Sequence, residues 1–184
     1  EKHLADFSYI RKLLTLRIYP DRLELFHKSS HMTVHRKVIE GTETALMYDL
    51  PSSVVSVGRG ATAAWGKTDE ELFAIGLANV RKNYPPEITS QMVRKKFSVF
   101  GFSAGTYATT YTLCLDQYPQ CIGKYGALVG IPHRGALIVY PVNDASVLDA
   151  VHELIGLIQY MHKEGPGSIS PLLYWYYQGN YHAF

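Results

Sequence analysis

Two apolar runs, at residues 127–131 and 136–140, constrain the fold of this chain more than any other segment. The connection between them, residues 132–135, is too short for a crossover between parallel strands. Its proline and two polar residues suit a bend, and Gly135 can take the left-handed conformation of a bulged loop. The sequence therefore predicts a β-hairpin, and with it an antiparallel sheet.

Helical spacing of apolar residues is found at residues 7–16, 68–82 and 147–161. The second of these segments opens with Thr68 and Glu71, the T-x-x-E pattern of a capping box, in which each side chain bonds the other residue's amide. The third follows Asn143 and Asp144, either of which can cap a helix. We expect a helix at each of the three segments.

Further strands are predicted at residues 22–25, 32–39, 45–48, 54–57, 97–100 and 172–177, where short apolar or alternating runs lie between turn residues. Strand pairs interleaved with a few helices are typical of an α+β fold. We therefore expect residues 1–184 to form a single α+β domain, in which helices pack on a mainly antiparallel sheet.

Net charge and cysteine content limit which class of partner and which cellular location are expected. The formal net charge is +2 and the basic residues are scattered, except at residues 94–96, so nucleic acid is not expected as a partner. The sequence has no apolar run of membrane-spanning length, and its first residues lack a signal-peptide core. Cys114 and Cys121 form no C-x-x-C pair. Reduced, packed thiols and a cytoplasmic location are the expectation.

A possible catalytic motif lies at residues 101–105, Gly-Phe-Ser-Ala-Gly, which matches the G-x-S-x-G nucleophile elbow. A serine hydrolase also needs a histidine base and an orienting carboxylate. Ser103, Asp144 and His162 could supply the set, with Asp149 and His182 as substitutes.

Three features argue against this reading of residues 101–105. The following hairpin is too tightly linked for the strand–helix crossovers of an α/β-hydrolase. The sequence has no H-G-G-type oxyanion segment before the motif. Residues 106–112 are threonine-rich, a poor helix former that could alternate as a strand. A bend is therefore the main interpretation of the motif, and catalysis is the alternative.

Histidines spaced four apart, His27, His31 and His35, would share one face of a helix and could hold zinc. Their segment is rich in serine and β-branched residues and its neighbours resemble strands, so scattered surface histidines are the favoured interpretation. We expect neither a metal nor a cofactor.

Candidate binding residues lie at the hairpin bend and near the C-terminus. His133 and Arg134 form an exposed polar pair that could face an anion. The second group is Tyr174, Trp175, Tyr176 and Tyr177. Tyrosine and tryptophan anchor interfaces because each brings a large apolar body and a polar group. These residues point to another protein as the partner.

Several short motifs between residue 45 and the C-terminus follow one another in a recognisable order. They are Tyr-Asp-Leu-Pro at 48–51, Trp-Gly-Lys-Thr-Asp-Glu-Glu-Leu at 65–72, Leu-Ala-Asn-Val-Arg at 77–81, Gly-Ile-Pro-His-Arg-Gly at 130–135 and Ser-Ile-Ser-Pro-Leu at 168–172. With them the chain resembles the YtpQ-like family of uncharacterised bacterial proteins. Gly135 stands where such proteins tend to have an acidic residue. The resemblance implies a cytoplasmic α+β domain and carries over no catalytic residue.

Taken together, the sequence predicts a non-enzymatic domain that binds a partner protein, such as a bacterial immunity or regulatory protein. The alternative is a small serine hydrolase that uses Ser103. The oligomeric state stays open.

Overall fold

The computed structural model describes residues 11–20, 35–36 and 38–184, which form two antiparallel sheets. The strands of the first sheet are β1 (Leu14–Pro20), β2 (His35–Arg36), β3 (Thr42–Leu50) and β4 (Ser53–Ser56). β3 lies at its centre, with β1 along one edge and β2 and β4 in succession along the other.

The second sheet has the strand order β10-β9-β7-β8-β6-β5. Its strands are β5 (Glu87–Val93), β6 (Phe97–Ser103), β7 (Ala127–His133), β8 (Ala136–Pro141), β9 (Leu173–Tyr177) and β10 (Asn180–Ala183). β5–β6, β7–β8 and β9–β10 are each adjacent in sequence and antiparallel, so the sheet consists of three hairpins placed side by side.

The α-helices are α1 (Arg59–Ala63), α2 (Asp69–Asn83) and α3 (Val147–Glu164), and 3₁₀ helices cover Ala108–Gln117 and Pro119–Cys121. The capping box of α2 is confirmed: Glu71 N–H donates to Thr68 Oγ1 at 3.2 Å, and Thr68 N–H donates to Glu71 Oε2 at 2.9 Å. None of the helices in the described ranges is long and apolar enough to cross a membrane.

The core has two main layers on either side of the second sheet. α3 packs on one face, mainly against β7. The longer 3₁₀ helix lies on the other face and joins the two sheets, because Thr110 Oγ1 donates to Leu16 O at 2.9 Å and Tyr111 Oη donates to Tyr84 O at 2.7 Å. The predicted α+β class and mainly antiparallel pairing are confirmed.

The predicted helix at residues 7–16 is wrong from Leu14 onward. Residues 11–13 are helical, but Leu14 begins β1 and pairs with Tyr48. Strand pairing prevails here because Leu14, Leu16 and Ile18 alternate and are all buried. The remainder of that predicted helix, the predicted strand at 22–25 and residues 32–34 and 37 of the one at 32–39 lie outside the described residues, whereas residues 35–36 form β2.

Two local predictions were also wrong. Residues 108–112 are 3₁₀-helical rather than extended, and the hydroxyl of Thr112 bonds Thr109 O at 2.8 Å within the helix. The backbone of Gly135 does not have a positive φ, since β7 continues through His133 and the loop shortens to Arg134 and Gly135.

The cap predicted for α3 was wrong as well. Ser146 occupies the N-cap position of α3, whereas Asp144 Oδ1 accepts the Ser146 amide at 2.8 Å in the preceding turn. The Asn143 side chain accepts the Lys124 amide at 3.0 Å instead.

Candidate functional site: a groove between α3 and the edge of the second sheet

A groove of about 540 Å³ runs between α3 and the strands β5, β6 and β8. Its apolar lining includes Val99, Ile138, Leu157 and Met161. Its polar lining includes Thr89, Gln91 and Ser103. A largely apolar concavity with a few polar groups is the usual form of a binding site.

Three glycines account for the shape of this groove. Where α3 crosses β7, a Cβ on Gly130 would lie 2.1 Å from Ile158 Cδ1, so the helix approaches the sheet too closely there for any side chain. In the groove, Gly101 on β6 and Gly156 on α3 leave space instead. A Cβ on Gly156 would meet nothing within 4 Å, and one on Gly101 would make ordinary contacts with Gln91 and Thr89. The groove is therefore open because both of its facing surfaces lack a side chain.

β5 forms the outer wall of the groove and is an edge strand without the usual protection. Among the described residues it pairs with β6 alone, over all of its seven residues and without a bulge. It contains no proline or lysine, and Glu87 is its sole charged residue. Natural edge strands are normally shortened, bulged or charged, because a long regular edge pairs with other chains. β10 at the opposite edge has four residues.

A strained basic turn closes one end of the groove. Lys96 N–H donates to Val93 O at 2.9 Å, and the two central residues, Arg94 and Lys95, have φ values of +46° and +60°. Such turns favour asparagine and glycine, because a side chain in the left-handed region is strained. The chain nevertheless has two long cations there.

Glu153 on α3 holds this turn against the helix. Its carboxylate bonds Lys96 Nζ at 2.6 Å and Arg94 Nη1 at 3.0 Å. The hydrogen bond from Lys96, with the nearby charge of Arg94, lowers the pKa of Glu153 below its ordinary value. The end of the groove is therefore fixed by a carboxylate that stays ionised at neutral pH.

Ser103 lies at the other end of the groove, as the last residue of β6. Its side chain is exposed, and its hydroxyl has no hydrogen-bond partner in the described part of the chain. The chain then bends at Gly105, which has a φ of +56°, and continues into a 3₁₀ helix. This local geometry is a bend after an antiparallel strand, and it differs from the strand–turn–α-helix of a nucleophile elbow.

The other residues of the candidate triad are not brought together. Asp144 precedes α3 and His162 lies in its last turn, so the length of the helix separates them by about 22 Å. Asp149 lies in the first turn of the same helix, and His182 packs against Trp175 with ring centroids 5.8 Å apart. A carboxylate must hydrogen-bond the histidine to orient it, and neither Asp144 nor Asp149 is at that distance from His162.

The hairpin tip adjoins the Ser103 end of the groove through Gly135. His133 Nδ1 accepts the Gly135 amide at 3.3 Å, so its neutral ring carries the proton on Nε2. Partial burial lowers the pKa of His133. This hydrogen bond occupies the nitrogen that a general base would use, whereas the exposed Arg134 is free to contact a ligand.

The aromatic segment of β9 divides between core and surface. Tyr174 and Tyr176 are buried, and the Tyr174 hydroxyl donates to Glu40 O at 2.8 Å. Trp175 and Tyr177 point to the α3 face, where their rings stack 5.1 Å apart. Two of the four predicted binding residues are therefore buried in the fold, Trp175 is half-buried with its indole N–H bonded to Tyr125 O at 2.8 Å, and Tyr177 is exposed.

No group of three metal-ligating side chains occurs among the residues that the structure describes. His27 and His31 lie outside those residues, and His35 is in β2 rather than in a helix. Both Cys114 and Cys121 are free and buried, and burial raises the pKa of each thiol to about 11.

Sequence reasoning missed the groove, although it singled out the pentapeptide that contributes Gly101 and Ser103. The available signal was Gly156, a glycine in the middle of the otherwise apolar and helical Leu-Ile-Gly-Leu-Ile at residues 154–158. The exposed edge of β5 had no such signal, because the strand order of a sheet is not encoded locally.

Comparison of the chain with models of protein families, with curated proteins and with solved structures finds no match. Membership of the YtpQ-like family thus stays a prediction from the motifs.

Proposed function

We propose that this chain is a non-enzymatic protein-binding domain that receives an extended segment of a partner along β5 and the groove beside it. The observation that carries the proposal is the seven-residue, regular edge of β5, which no described residue pairs with on its outer side, next to an open groove. Strand addition supplies affinity through main-chain hydrogen bonds, and an adjacent groove takes alternate side chains.

The separation of Asp144 from His162 along α3 supports binding over catalysis, because the carboxylate of a triad must hydrogen-bond its histidine. Reduced, buried thiols are compatible with the cytoplasmic location that is part of this proposal. The proposal includes a role as an immunity protein or a regulatory protein, because proteins of both classes act by occupying the surface of a partner.

A groove-filling substitution tests the proposal. Extended peptides that bind the folded protein can be selected from a displayed random library. We expect these peptides not to bind the Gly101→Leu variant, because the leucine side chain occupies the groove without a backbone clash. The matched control is Gly60→Leu on α1, where a Cβ meets nothing within 4 Å, so this substitution too causes no backbone clash. A library that yields no binders, or binders that Gly101→Leu does not affect, would contradict the proposal.

A second candidate function, serine hydrolysis, is favoured by one observation: the Ser103 hydroxyl is exposed and lines the groove. Covalent labelling by a fluorophosphonate probe, lost in Ser103→Ala, would establish a reactive serine. The absence of labelling would eliminate this candidate.

A further inference from the structure

Charge is unevenly distributed along the groove, and this identifies the kind of segment that fits it. The turn at one end carries Arg94, Lys95 and Lys96, and Glu153 neutralises part of that charge. Asp149 lies one turn before Glu153 on α3. The three cations of the turn outnumber these two carboxylates, so this end of the groove has a net positive charge. At the opposite end the exposed charged residues are of both signs: Glu87 on β5, Arg134 in the hairpin loop, and Lys163 and Glu164 in the last turn of α3. The electrostatic contrast therefore lies at the turn.

The conformation of the turn is an independent indication. Arg94 and Lys95 hold positive φ values that disfavour them, although asparagine and glycine would fit without strain. Both side chains are exposed: Arg94 is 75% exposed and pairs with Glu153, and Lys95 has no ion pair within the described part of the chain. A strained residue at a position that an unstrained residue could fill is an indicator of a binding role.

We propose that the partner segment is acidic at its N-terminal end and pairs antiparallel with β5, so that its acidic residues meet the turn at Arg94–Lys96. This inference rests on the protein-binding function proposed above. β5 runs toward the turn, so an antiparallel segment begins there, and antiparallel pairing continues the pattern of the whole sheet. A segment of about seven residues matches the length of β5.

Alternate side chains of such a segment rise on the α3 side of the sheet. There they meet the groove surface formed by Val93 and Leu157 and the ring of Tyr160, which is 66% exposed. These contacts call for apolar residues at every second position after the acidic end. The occupant is thus an extended, alternating apolar segment with an acidic start.

Synthetic peptides test this assignment directly. The probe is acetyl-Glu-Glu-Val-Thr-Val-Thr-Val-Thr-Val, compared with a twin that has glutamine in place of both glutamates and with the same residues in reverse order. We expect the acidic peptide to bind about five- to tenfold more tightly than either, as measured by fluorescence anisotropy. The advantage should disappear at about 0.5 M salt.

The matched variant is Arg94→Asn/Lys95→Gly, which relaxes the turn and removes two cations. We expect this variant to bind the acidic peptide and the glutamine twin with equal affinity, the affinity that the native protein has for the twin. The melting temperature of the variant should be higher than that of the native protein. Arg59→Asn, which removes a cation from α1, should leave the preference intact.

The possible outcomes separate the two proposals. If the acidic peptide and the glutamine twin bind equally, or the reversed peptide binds best, the acidic-end inference is overturned while the protein-binding function stands. If none of the peptides binds and the display selection also fails, both are overturned. If the protein forms a dimer through β5 that excludes every peptide, the occupant is a second copy of the chain and the acidic segment is rejected.

Discussion

Single residues determine where this molecule is closely packed and where it is open. Gly130 and Gly156 lie on facing elements, β7 and α3, with opposite consequences. Gly130 lets Ile158 pack directly on the backbone of the sheet, whereas the space beside Gly156 belongs to the groove. A glycine inside a helix costs about 1 kcal/mol relative to alanine. At residue 156 the fold gains no packing in return.

Replacing Gly156 by alanine should therefore stabilise the protein by about 0.5–1 kcal/mol in chemical denaturation. The contrasting variant is Gly130→Ala, whose Cβ would overlap Ile158, and it should destabilise the protein by about 1–3 kcal/mol. Similar effects of both changes would mean that α3 does not lie over β7 as described.

Burial should also protect the two thiols from modification. With pKa values of about 11, Cys114 and Cys121 are each about 0.1% ionised at pH 8, and the thiolate is the reactive form. We expect alkylation by iodoacetamide, followed by mass spectrometry, to be much slower in the native protein than in denaturant. Rapid native labelling of either cysteine would contradict its position in the core.

At the scale of elements, local sequence signals predicted several that depend on neighbouring residues, but gave no indication of α1, β5 or β10. The β7–β8 hairpin, α2 with its capping box, α3 and the aromatic strand β9 are present close to where spacing and turn residues indicated. β1 was missed at residues 14–16 because its apolar residues fit both a helical and a strand period, and pairing with β3 determined the outcome. The 3₁₀ helix was missed because threonine is a poor helix former by propensity. Here the hydroxyls of Thr110 and Thr112 bond main-chain carbonyls, which stabilises the helical conformation.

The candidate site was less predictable than the elements that form it. Ser103 lines one end of the groove and the hairpin tip with His133 and Arg134 adjoins it, but the walls formed by β5 and α3 are brought together by the pairing of β6 with β8. That contact depends on the order of hairpins in the sheet rather than on any motif. The pentapeptide therefore identified part of the location and suggested a chemistry that the geometry does not favour.

The turn at residues 94–96 allows a prediction about stability alone. Arg94→Asn/Lys95→Gly should raise the free energy of unfolding by about 1 kcal/mol, because the relief of two left-handed side chains outweighs the loss of an exposed ion pair. Urea denaturation measures it. A decrease would show that the ion pair with Glu153 matters more than the strain.

At the scale of the whole molecule, the two sheets are held together by buried side-chain hydrogen bonds to main-chain carbonyls. Thr110 bonds β1, Tyr111 bonds the end of α2, and Tyr174 bonds the chain just before β3. These bonds cross between elements that are distant in sequence. They therefore couple the stability of the first sheet to that of the second.

Tyr111→Phe should test that coupling, since it removes the hydroxyl and keeps the buried ring. We expect a loss of about 1–2 kcal/mol in the free energy of unfolding, with the two sheets still unfolding in one transition. Tyr160→Phe, on the exposed rim of the groove, should change it by less than about 0.5 kcal/mol. Equal effects of the two changes would refute a structural role for the Tyr111 hydroxyl.

The construction of the second sheet from three hairpins has a consequence for the order of folding. Each hairpin joins residues that are close in sequence, and isolated hairpins form within about 1–10 μs. The contact between Thr110 and Leu16 closes a span of 94 residues and has the larger entropic cost. We therefore expect the hairpins to form early and the contact of β1 with the 3₁₀ helix to form late. In that order, the edge of β5, which no described residue covers, is formed with its hairpin before β1 is in place, and we expect nascent chains at high concentration to associate through it.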